Sequence, residues 1–182
     1  MAEHVRVLIT EEEVNRRITE VAEEINRAYG DTPVHLICIL KGGAMFMCEL
    51  AKRLTMPVSF DFMSVSSYGG GTVSTGVVRI MKDLDEPLEG KHVLIVEDII
   101  DTGRTLSYLI DVLQGRNPAD IHLCTLLDKP ERRVKKMVKV DYTCFTIPDE
   151  FVVGYGLDYD QKYRNLPYIG VVEFDEPRRN HS

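Results

Sequence analysis

The sequence predicts an α/β protein with an open, mostly parallel sheet that is flanked by helices. Short apolar runs alternate along the chain with amphipathic segments of helical period, a pattern typical of parallel strands joined by crossover helices. The apolar run at residues 93–96 leads directly into acids and then into a turn with threonine and glycine, as expected where a strand is followed by a helix. Ligands of such sheets bind at the carboxyl ends of strands, so this position is the first candidate for a functional site.

The first predicted element is an amphipathic helix over about residues 11–28. Thr10 and Glu13 form a capping box before it, and Gly30 is a natural place for it to end. The apolar residues that repeat at helical spacing between these limits are Val14, Ile18, Val21, Ala22 and Ile25.

Strands and helices alternate through the rest of the chain. The predicted order is a strand at 35–40, a helix at 44–54, strands around 58–62, 77–81 and 92–96, a helix at 106–113 and a strand at 121–127. The strand that begins at residue 92 should end where the acids Glu97 and Asp98 begin. A chain of 182 residues can bury one sizeable core, and we expect a single domain over residues 1–182.

The composition argues against several functional classes. A formal charge of −7 disfavours a nucleic-acid partner, because affinity for a phosphate backbone requires a basic face. No stretch approaches the roughly 18 apolar residues of a membrane span, and the first residues lack the apolar region of a signal peptide. We therefore expect a cytoplasmic protein with no membrane partner. The scattered cysteines lack a C-x-x-C pair and are expected to be reduced, buried thiols at Cys38, Cys48, Cys124 and Cys144.

The segment after the apolar run carries the strongest chemical signal. Glu97 and Asp98 can accept hydrogen bonds from two neighbouring hydroxyl groups of a sugar. The turn Asp101–Thr105 then opens a helix, where unpaired amides and the hydroxyls of Thr102 and Thr105 would bind an anion. The pattern therefore indicates a phosphorylated sugar as ligand. A strand followed by an acidic, glycine-containing turn is common in α/β proteins, but that alternative leaves the acids and threonines at these offsets unexplained.

This segment resembles the phosphoribosyl-pyrophosphate signature of the type I phosphoribosyltransferases. In that family two acids hold the ribose 2′- and 3′-hydroxyls, and the Asp-Thr-Gly-x-Thr turn holds the 5′-phosphate. The resemblance implies the type I phosphoribosyltransferase fold, with a small hood built from the chain termini. It assigns ribose and phosphate binding to Glu97, Asp98, Asp101, Thr102, Gly103, Arg104 and Thr105.

A second phosphate site is predicted at Lys41, Gly42 and Gly43. This turn follows a strand and opens a helix, so the glycines permit close approach of the backbone and Lys41 adds a positive charge. The sequence resembles the 6-oxopurine phosphoribosyltransferases, in which a Leu-Lys-Gly-Gly turn binds pyrophosphate together with an arginine that matches Arg164. The resemblance also implies a cis peptide bond between Leu40 and Lys41.

The C-terminal third extends this resemblance over essentially the whole chain. It implies a purine site in which Lys129 donates to the 6-oxo group, Phe151 stacks on the base and the backbone at Val152 reads the base edge. Asp158, at the same site, is implied to bind magnesium directly or through water. Taken singly, each is a common surface or core residue, but their order beside the signature indicates a purine site.

A polar, glycine-rich segment at residues 66–76 is long for a connection in a compact domain. We interpret it as a lid in which Ser67 and Tyr68 contact the substrate, and the alternative is a surface loop without a role in binding. A Ser-Tyr-Gly lid also occurs in the family that the sequence resembles.

The resemblance implies a reaction of purine salvage. Nitrogen N9 of hypoxanthine or guanine displaces pyrophosphate from C1 of 5-phosphoribosyl 1-diphosphate, which gives IMP or GMP. Asp101 is the candidate to receive the proton of the base, and holding the N7 proton or stabilising the sugar cation remain open as its role. Mg²⁺ is the expected cofactor, with Glu97, Asp98 and Asp158 as candidate metal-binding residues. The family also implies a homodimer or homotetramer.

Two other classes of function share parts of this pattern. RNA-binding regulators of pyrimidine synthesis retain the sugar-diphosphate signature. The acidic balance, the absence of a clustered basic stripe and the presence of Lys129 with Phe151 and Val152 argue against that class. A nucleotide-binding module without turnover would leave the lid and the pyrophosphate turn unexplained. Within the enzyme class, the sequence does not rank hypoxanthine, guanine and xanthine as substrates.

Overall fold

The computed structural model describes residues 3–67, 78–134 and 138–174, and within these ranges the chain forms three α-helices and nine strands. In chain order they are β1 (Glu3–Ile9), α1 (Glu11–Tyr29), β2 (Val34–Ile39), α2 (Ala44–Ala51), β3 (Val58–Ser67), β4 (Val78–Lys82), β5 (His92–Ile100), α3 (Arg104–Gln114), β6 (Asp120–Asp128), β7 (Tyr142–Thr146), β8 (Val152–Val153) and β9 (Ile169–Phe174). A short 3₁₀ turn, Pro130–Arg132, follows β6.

The larger of two sheets has six strands in the order β4-β3-β2-β5-β6-β7. Strands β3 and β4 pair antiparallel, and the other neighbours pair parallel. The predicted class, an open and mostly parallel sheet flanked by helices, is therefore confirmed. Among the described residues, no helix combines the length and the apolar character that crossing a bilayer requires.

Alternate residues of the central strands pack into two separate cores. Leu36 and Cys38 of β2 pack in the core that contains the buried residues of α1 and α2. Ile37 and Ile39 of the same strand pack in the core that contains the buried residues of α3. Successive side chains of a strand point to opposite faces, so α3 covers the face opposite to α1 and α2.

The smaller sheet is an antiparallel arrangement of β1, β9 and β8. Glu3 lies opposite Phe174, so the two ends of the described chain meet in this sheet. This confirms the predicted hood built from the chain termini. The sequence patterns did not indicate β1, β7, β8 or β9. Strand β8 has only two residues, and β1 acquires its partner β9 from a distant part of the chain.

The first helix follows the predicted capping pattern closely. It begins at Glu11, where the Glu13 amide donates to the Thr10 hydroxyl at 3.2 Å and the Thr10 amide donates to the Glu13 carboxylate at 2.8 Å. The five residues predicted to face the core are the five that are buried. The second helix is shorter than predicted and ends at Ala51 rather than at residue 54.

The predicted end of the strand before the acids is wrong. Strand β5 continues through both acids to Ile100, and its pairing with β6 extends to the last residue of each strand. The physical reason is that Ile100 is buried in the core beside α3, so the apolar residues after the acids stabilise the extended chain.

The prediction of four buried thiols is wrong for Cys48. The other three cysteines are buried and none of the four forms a disulfide, but Cys48 is exposed. The buried face of α2 consists of Phe46, Met47 and Leu50, and Cys48 lies outside it.

Candidate active site

A cavity of about 180 Å³ lies at the N-terminus of α3. Gly103 caps this helix with a φ of 76°, a left-handed conformation that glycine adopts without steric cost. The first amides of a helix lack partners within the helix and favour an anion. The cavity therefore suits a phosphate group. The predicted phosphate-binding residues all line it, namely Asp101, Thr102, Gly103, Arg104 and Thr105.

A second cavity, of about 200 Å³, contains the predicted purine-binding residues. The Phe151 side chain is 57% exposed, and its ring meets the Tyr159 ring edge-on at 5.6 Å between centroids. An exposed aromatic ring beside a cavity offers a surface on which a planar base can stack. Val152 is buried, and its backbone pairs with Val171 of the hood. The cavity is lined by Asp98, Ile99, Asp101, Lys129, Phe151, Val152, Leu157 and Asp158.

The two cavities adjoin, because Ile99 and Asp101 line both of them. Glu97 lines the phosphate cavity and Asp98 lines the base cavity. This separation follows from β5, since consecutive strand residues point to opposite faces. A ligand with a phosphate at one end and a planar base at the other can therefore lie across β5 with an acid on each side.

Both acids of β5 have perturbed ionisation. Both residues are partly buried, and each lines one of the two cavities. Burial raises the pKa of Glu97 well above its ordinary value, and the charge of Asp98 adds to this effect. Burial also raises the pKa of Asp98 to about 6, against the stabilising hydrogen bond from the Ile99 amide at 2.7 Å.

Lys129 is buried at the side of the base cavity and is only 8% exposed. Its ammonium group donates to the Glu150 carbonyl oxygen at 2.6 Å and lies 3.5 Å from the Asp149 carboxylate. A buried charge requires such partners, because its desolvation is costly. The two contacts leave a third N–H donor for a ligand.

Asp101 stands at the junction of the cavities and forms an ion pair. The Arg132 Nε atom donates to Asp101 Oδ1 at 3.0 Å. The Arg132 guanidinium also lies 3.6 Å from the Asp149 carboxylate. Both side chains of the Asp101–Arg132 pair are about half exposed, at 46% and 47%.

The predicted pyrophosphate-binding cations lie together around Gln161. Lys41 Nζ donates to Gln161 Oε1 at 3.3 Å, and the Arg164 guanidinium donates to the same oxygen at 3.4 Å. Arg164 also lies 3.1 Å from Asp158 Oδ1 and donates to the Gly156 carbonyl oxygen at 2.7 Å. The structure thus brings two cations from distant parts of the chain to one side of the base cavity.

The glycine turn at residues 41–43 packs directly on Asp98. A Cβ atom at Gly42 would overlap the Asp98 carboxylate, so the backbone can approach this closely only with glycine. The peptide bond between Leu40 and Lys41 is cis, as the resemblance implied.

The acids of the base cavity provide a partial set of metal ligands. In the parts of the chain that the structure describes, no three His, Cys, Asp or Glu side chains form a group that could hold a metal ion. Asp98 and Asp158 nevertheless line one cavity. Magnesium commonly binds through one or two carboxylates together with substrate phosphates and water. This donor set fits a cation that enters with a diphosphate.

Ser67 ends β3, and Tyr68 with the rest of the predicted lid through residue 76 lies outside the described residues. A larger cavity of about 430 Å³, lined by His35, Ser59 and Lys91 among others, contains none of the predicted site residues.

Sequence reasoning missed several residues that contact the predicted site, and three of them do so through charged or amide side chains. Arg132 and Asp149 contact Asp101 and Lys129, and Gln161 joins the two pyrophosphate cations. Each lies close in sequence to a predicted residue. Charged and amide residues in loops are common, however, so no signal in the sequence distinguishes these three from solvated neighbours.

This combination of fold and site defines the class of protein. A mostly parallel sheet carries a phosphate cavity at a helix N-terminus beside a base cavity that Val152 of the hood helps to line. The family model for the phosphoribosyl transferase domain matches residues 8–160 of the chain. The chain therefore belongs to the phosphoribosyl transferase domain family.

Individual members of this family are similar to the chain over nearly its whole length. The chain is 51% identical over 168 residues to the hypoxanthine-guanine phosphoribosyltransferase of Bacillus subtilis. The aligned residues cover 92% of this chain and 93% of that protein. A solved structure of a hypoxanthine phosphoribosyltransferase from Staphylococcus aureus superposes with a TM-score of 0.88 at 49% identity, over 92% of this chain and 91% of that one. A solved structure of the hypoxanthine phosphoribosyl transferase of Trypanosoma cruzi comes from work on the role of its C-terminal region in oligomeric state and enzymatic activity. It superposes with a TM-score of 0.87 at 44% identity, over 92% of this chain and 91% of that one.

Proposed function

We propose that this chain is a purine-salvage transferase that moves the 5-phosphoribosyl group of 5-phospho-α-D-ribose 1-diphosphate to N9 of hypoxanthine or guanine. The products are IMP or GMP and pyrophosphate. In this reaction the bond from ribose C1 to the diphosphate oxygen breaks and the bond from C1 to N9 forms. The similarity to phosphoribosyltransferases named for hypoxanthine and guanine supports this substrate class.

One observation carries the proposal. The phosphate cavity before α3 and the cavity beside Lys129 share Asp101 and Ile99. A nucleoside monophosphate product has its phosphate and its base at opposite ends of a ribose. The two cavities supply the matching partners, which are helix amides at one end and an aromatic ring with a buried ammonium donor at the other.

The base is recognised by its 6-oxo group in this proposal. The Lys129 ammonium group is a donor only, so it pairs with the oxo acceptor of hypoxanthine or guanine. Phe151 stacks on the ring, and the backbone at Val152 contacts the base edge. Xanthine carries the same 6-oxo group, so preference among the three bases depends on other contacts.

The sugar diphosphate is held by cations and by acids. Lys41 and Arg164, with Gly42 and Gly43, bind the pyrophosphate and stabilise negative charge as it leaves. Their positions around Gln161 support this role. Glu97 and Asp98 orient the ribose from the two sides of β5.

Magnesium is the proposed cofactor, with Asp98, Asp158 and Glu97 as its candidate carboxylates. When bound, it supplies positive charge that neutralises the diphosphate. Asp101 receives the proton from the base, because it lines the base cavity and the phosphate cavity together. The Ser67 and Tyr68 lid and its contact with the substrate remain part of the proposal.

The proposal includes a homodimer or homotetramer in the cytoplasm, formed of a single domain in each chain. Work on the Trypanosoma cruzi relative concerns the role of its C-terminal region in the oligomeric state, and this supports an assembly of several chains. Three buried cysteines without disulfides are in keeping with a reducing compartment.

A spectrophotometric assay tests the function directly. The protein is incubated with the sugar diphosphate, magnesium and hypoxanthine, guanine, xanthine or adenine in turn. We expect nucleotide formation with hypoxanthine or guanine and its loss when magnesium is chelated. No turnover with any base, together with a mobility shift of operon leader RNA, would instead assign the chain to the RNA-binding regulators.

A further inference from the structure

Arg132 bridges two acids at the mouth of the base cavity. Its Nε atom donates to Asp101 Oδ1 at 3.0 Å, and its Nη1 atom lies 3.6 Å from Asp149 Oδ2. The 3₁₀ turn that follows Lys129 places it there, since the Arg132 amide donates to the Lys129 carbonyl oxygen at 3.1 Å. A guanidinium can do this because its donors form a rigid planar fork.

The contacts continue from Asp149 to the residue proposed to read the base. Asp149 Oδ1 lies 3.5 Å from Lys129 Nζ, and its Oδ2 faces Arg132. The result is an unbroken Asp101–Arg132–Asp149–Lys129 network. It joins the proposed proton acceptor at one end to the proposed donor to the 6-oxo group at the other.

We propose that Arg132 is a positioning residue that acts on the reaction through Asp101. This inference rests on the proposed function. The ion pair holds Oδ1 of Asp101 and leaves Oδ2 for the base. When the N–H bond of the purine breaks, its proton moves to Oδ2 and the electron pair stays on the ring. Arg132 remains protonated and keeps the carboxylate in one orientation.

Arg132 acts mainly by orienting the Asp101 carboxylate, and its charge contributes less. The Asp101 and Arg132 side chains are each about half exposed, and exposed ion pairs contribute little free energy because water screens them. Misplacement of a reacting group by about 1 Å can cost up to about 10²-fold in rate. Among the described residues, the other charged groups that line the base cavity are Asp98, Lys129 and Asp158, and none of them forms a hydrogen bond with the Asp101 carboxylate.

The test combines Arg132→Gln with Asp101→Asn in a double-mutant cycle. Arg132→Gln should lower kcat/KM for hypoxanthine about 10-fold and leave KM for the sugar diphosphate unchanged. If Arg132 acts through Asp101, adding Arg132→Gln to the Asp101→Asn protein should cost nothing more, because coupled residues are not additive. A full further 10-fold loss in the double variant would overturn the proposal.

Arg116→Gln is the matched control. Arg116 forms an ion pair with Asp83, at 2.7 and 2.8 Å, and neither residue lines the cavities of the site. Its removal should leave all kinetic constants unchanged, and equal kinetics for Arg132→Gln and Arg116→Gln would also reject the proposal. Asp149→Asn, which removes the carboxylate between Arg132 and Lys129, gives a second measurement if Arg132→Gln does not fold. Asp149→Asn should also lower kcat/KM for hypoxanthine, and unchanged kinetics would count against the network.

Failure of the proposed function would look different. Wild-type protein would then form no nucleotide from any base, whatever residue stands at position 132. Active wild-type protein with an inert Arg132 rejects only the positioning role.

Discussion

Lys129 takes its proposed role from the residues that surround it. Its ammonium group is buried against the Glu150 carbonyl oxygen and near Asp149, and it lines the base cavity. The loss of an acceptor costs more free energy for a buried donor than for an exposed donor, because water cannot replace the lost acceptor. This difference is the basis on which the site discriminates between bases.

Adenine should be a negligible substrate because its 6-amino group meets the Lys129 ammonium donor to donor. Sites built around one hydrogen bond can discriminate by about 10⁴-fold. Lys129→Gln, whose amide offers either a donor or an acceptor, should lower kcat/KM for hypoxanthine and guanine and narrow the gap to adenine. Steady-state kinetics with the three bases measure this, with the exposed Lys139→Gln as control. Equal turnover of adenine and hypoxanthine by wild-type protein would contradict the role of Lys129.

Asp101→Asn should lower kcat by about 10²-fold or more and leave binding of the sugar diphosphate nearly intact. The physical reason is that asparagine cannot accept a proton, whereas the amides of the phosphate turn are unchanged. Single-turnover kinetics isolate the chemical step. Asp111→Asn, an exposed change on α3, is the control. An unchanged single-turnover rate would remove Asp101 from proton transfer.

At the scale of elements, α1 shows how local chemistry and packing agree. The capping box satisfies two amides at its start, and one face carries the five buried apolar residues. This helix packs in the same core as β2 and β5, the strands that lead to the site. Its stability therefore contributes to the frame that supports the cavities.

Thr10→Ala should lower the free energy of unfolding by about 1 kcal/mol, the usual cost of losing a helix cap. Urea denaturation measures this loss as a lower midpoint with an unchanged slope. Thr55→Ala, at an exposed threonine outside the helices, should have little effect. A cost for Thr10→Ala no greater than that of the control would show that the capping box does not stabilise α1.

Strand β5 places the acids by continuing past them. Had it ended at residue 96, both carboxylates would lie on a loop with no defined faces. Because the chain stays extended to Ile100, Glu97 and Asp98 face different cavities. The alternation of the strand thus gives each acid its own cavity, and the two cavities meet at Ile99 and Asp101.

At the scale of the molecule, two cores lie on the faces of one sheet, and residues of the hood pack into the core that contains α1 and α2. This arrangement buries three of the four thiols in the interior. Burial raises the pKa of Cys38 and of Cys144 to about 12, and that of Cys124 well above its ordinary value. Their thiolate forms are therefore scarce near neutral pH.

Thiol labelling of the folded protein at pH 8 should modify Cys48 rapidly and the three other cysteines only as the molecule unfolds. The thiolate is the reactive form, so a raised pKa delays reaction until the pH approaches about 12 or the chain opens. Labelling with a chromogenic disulfide, with and without denaturant, should give one and then four reactive groups. Cys48→Ser should abolish the rapid phase, and a remaining rapid phase would contradict the burial of the others.

Features set by neighbours in the chain could be predicted from the sequence alone. The capping box, the helical period of α1, the apolar central strands and the turn at residues 101–105 all depend on residues a few positions apart. For the same reason the phosphate-binding turn was recognisable as a motif. The resemblance to a known family added the hood and the purine residues, which local patterns do not contain.

Features made by residues far apart in the chain required the tertiary structure. The pairing of β1 with β9, the meeting of Lys41 with Arg164 through Gln161, and the contact of Arg132 with Asp101 all join such residues. So does the division of Glu97 and Asp98 between two cavities, which depends on how far β5 pairs with β6. The physical reason is that the composition and residue spacing of a segment set its local conformation. The partners of that segment are determined by packing of the whole chain, where burial and long-range pairing override local preference.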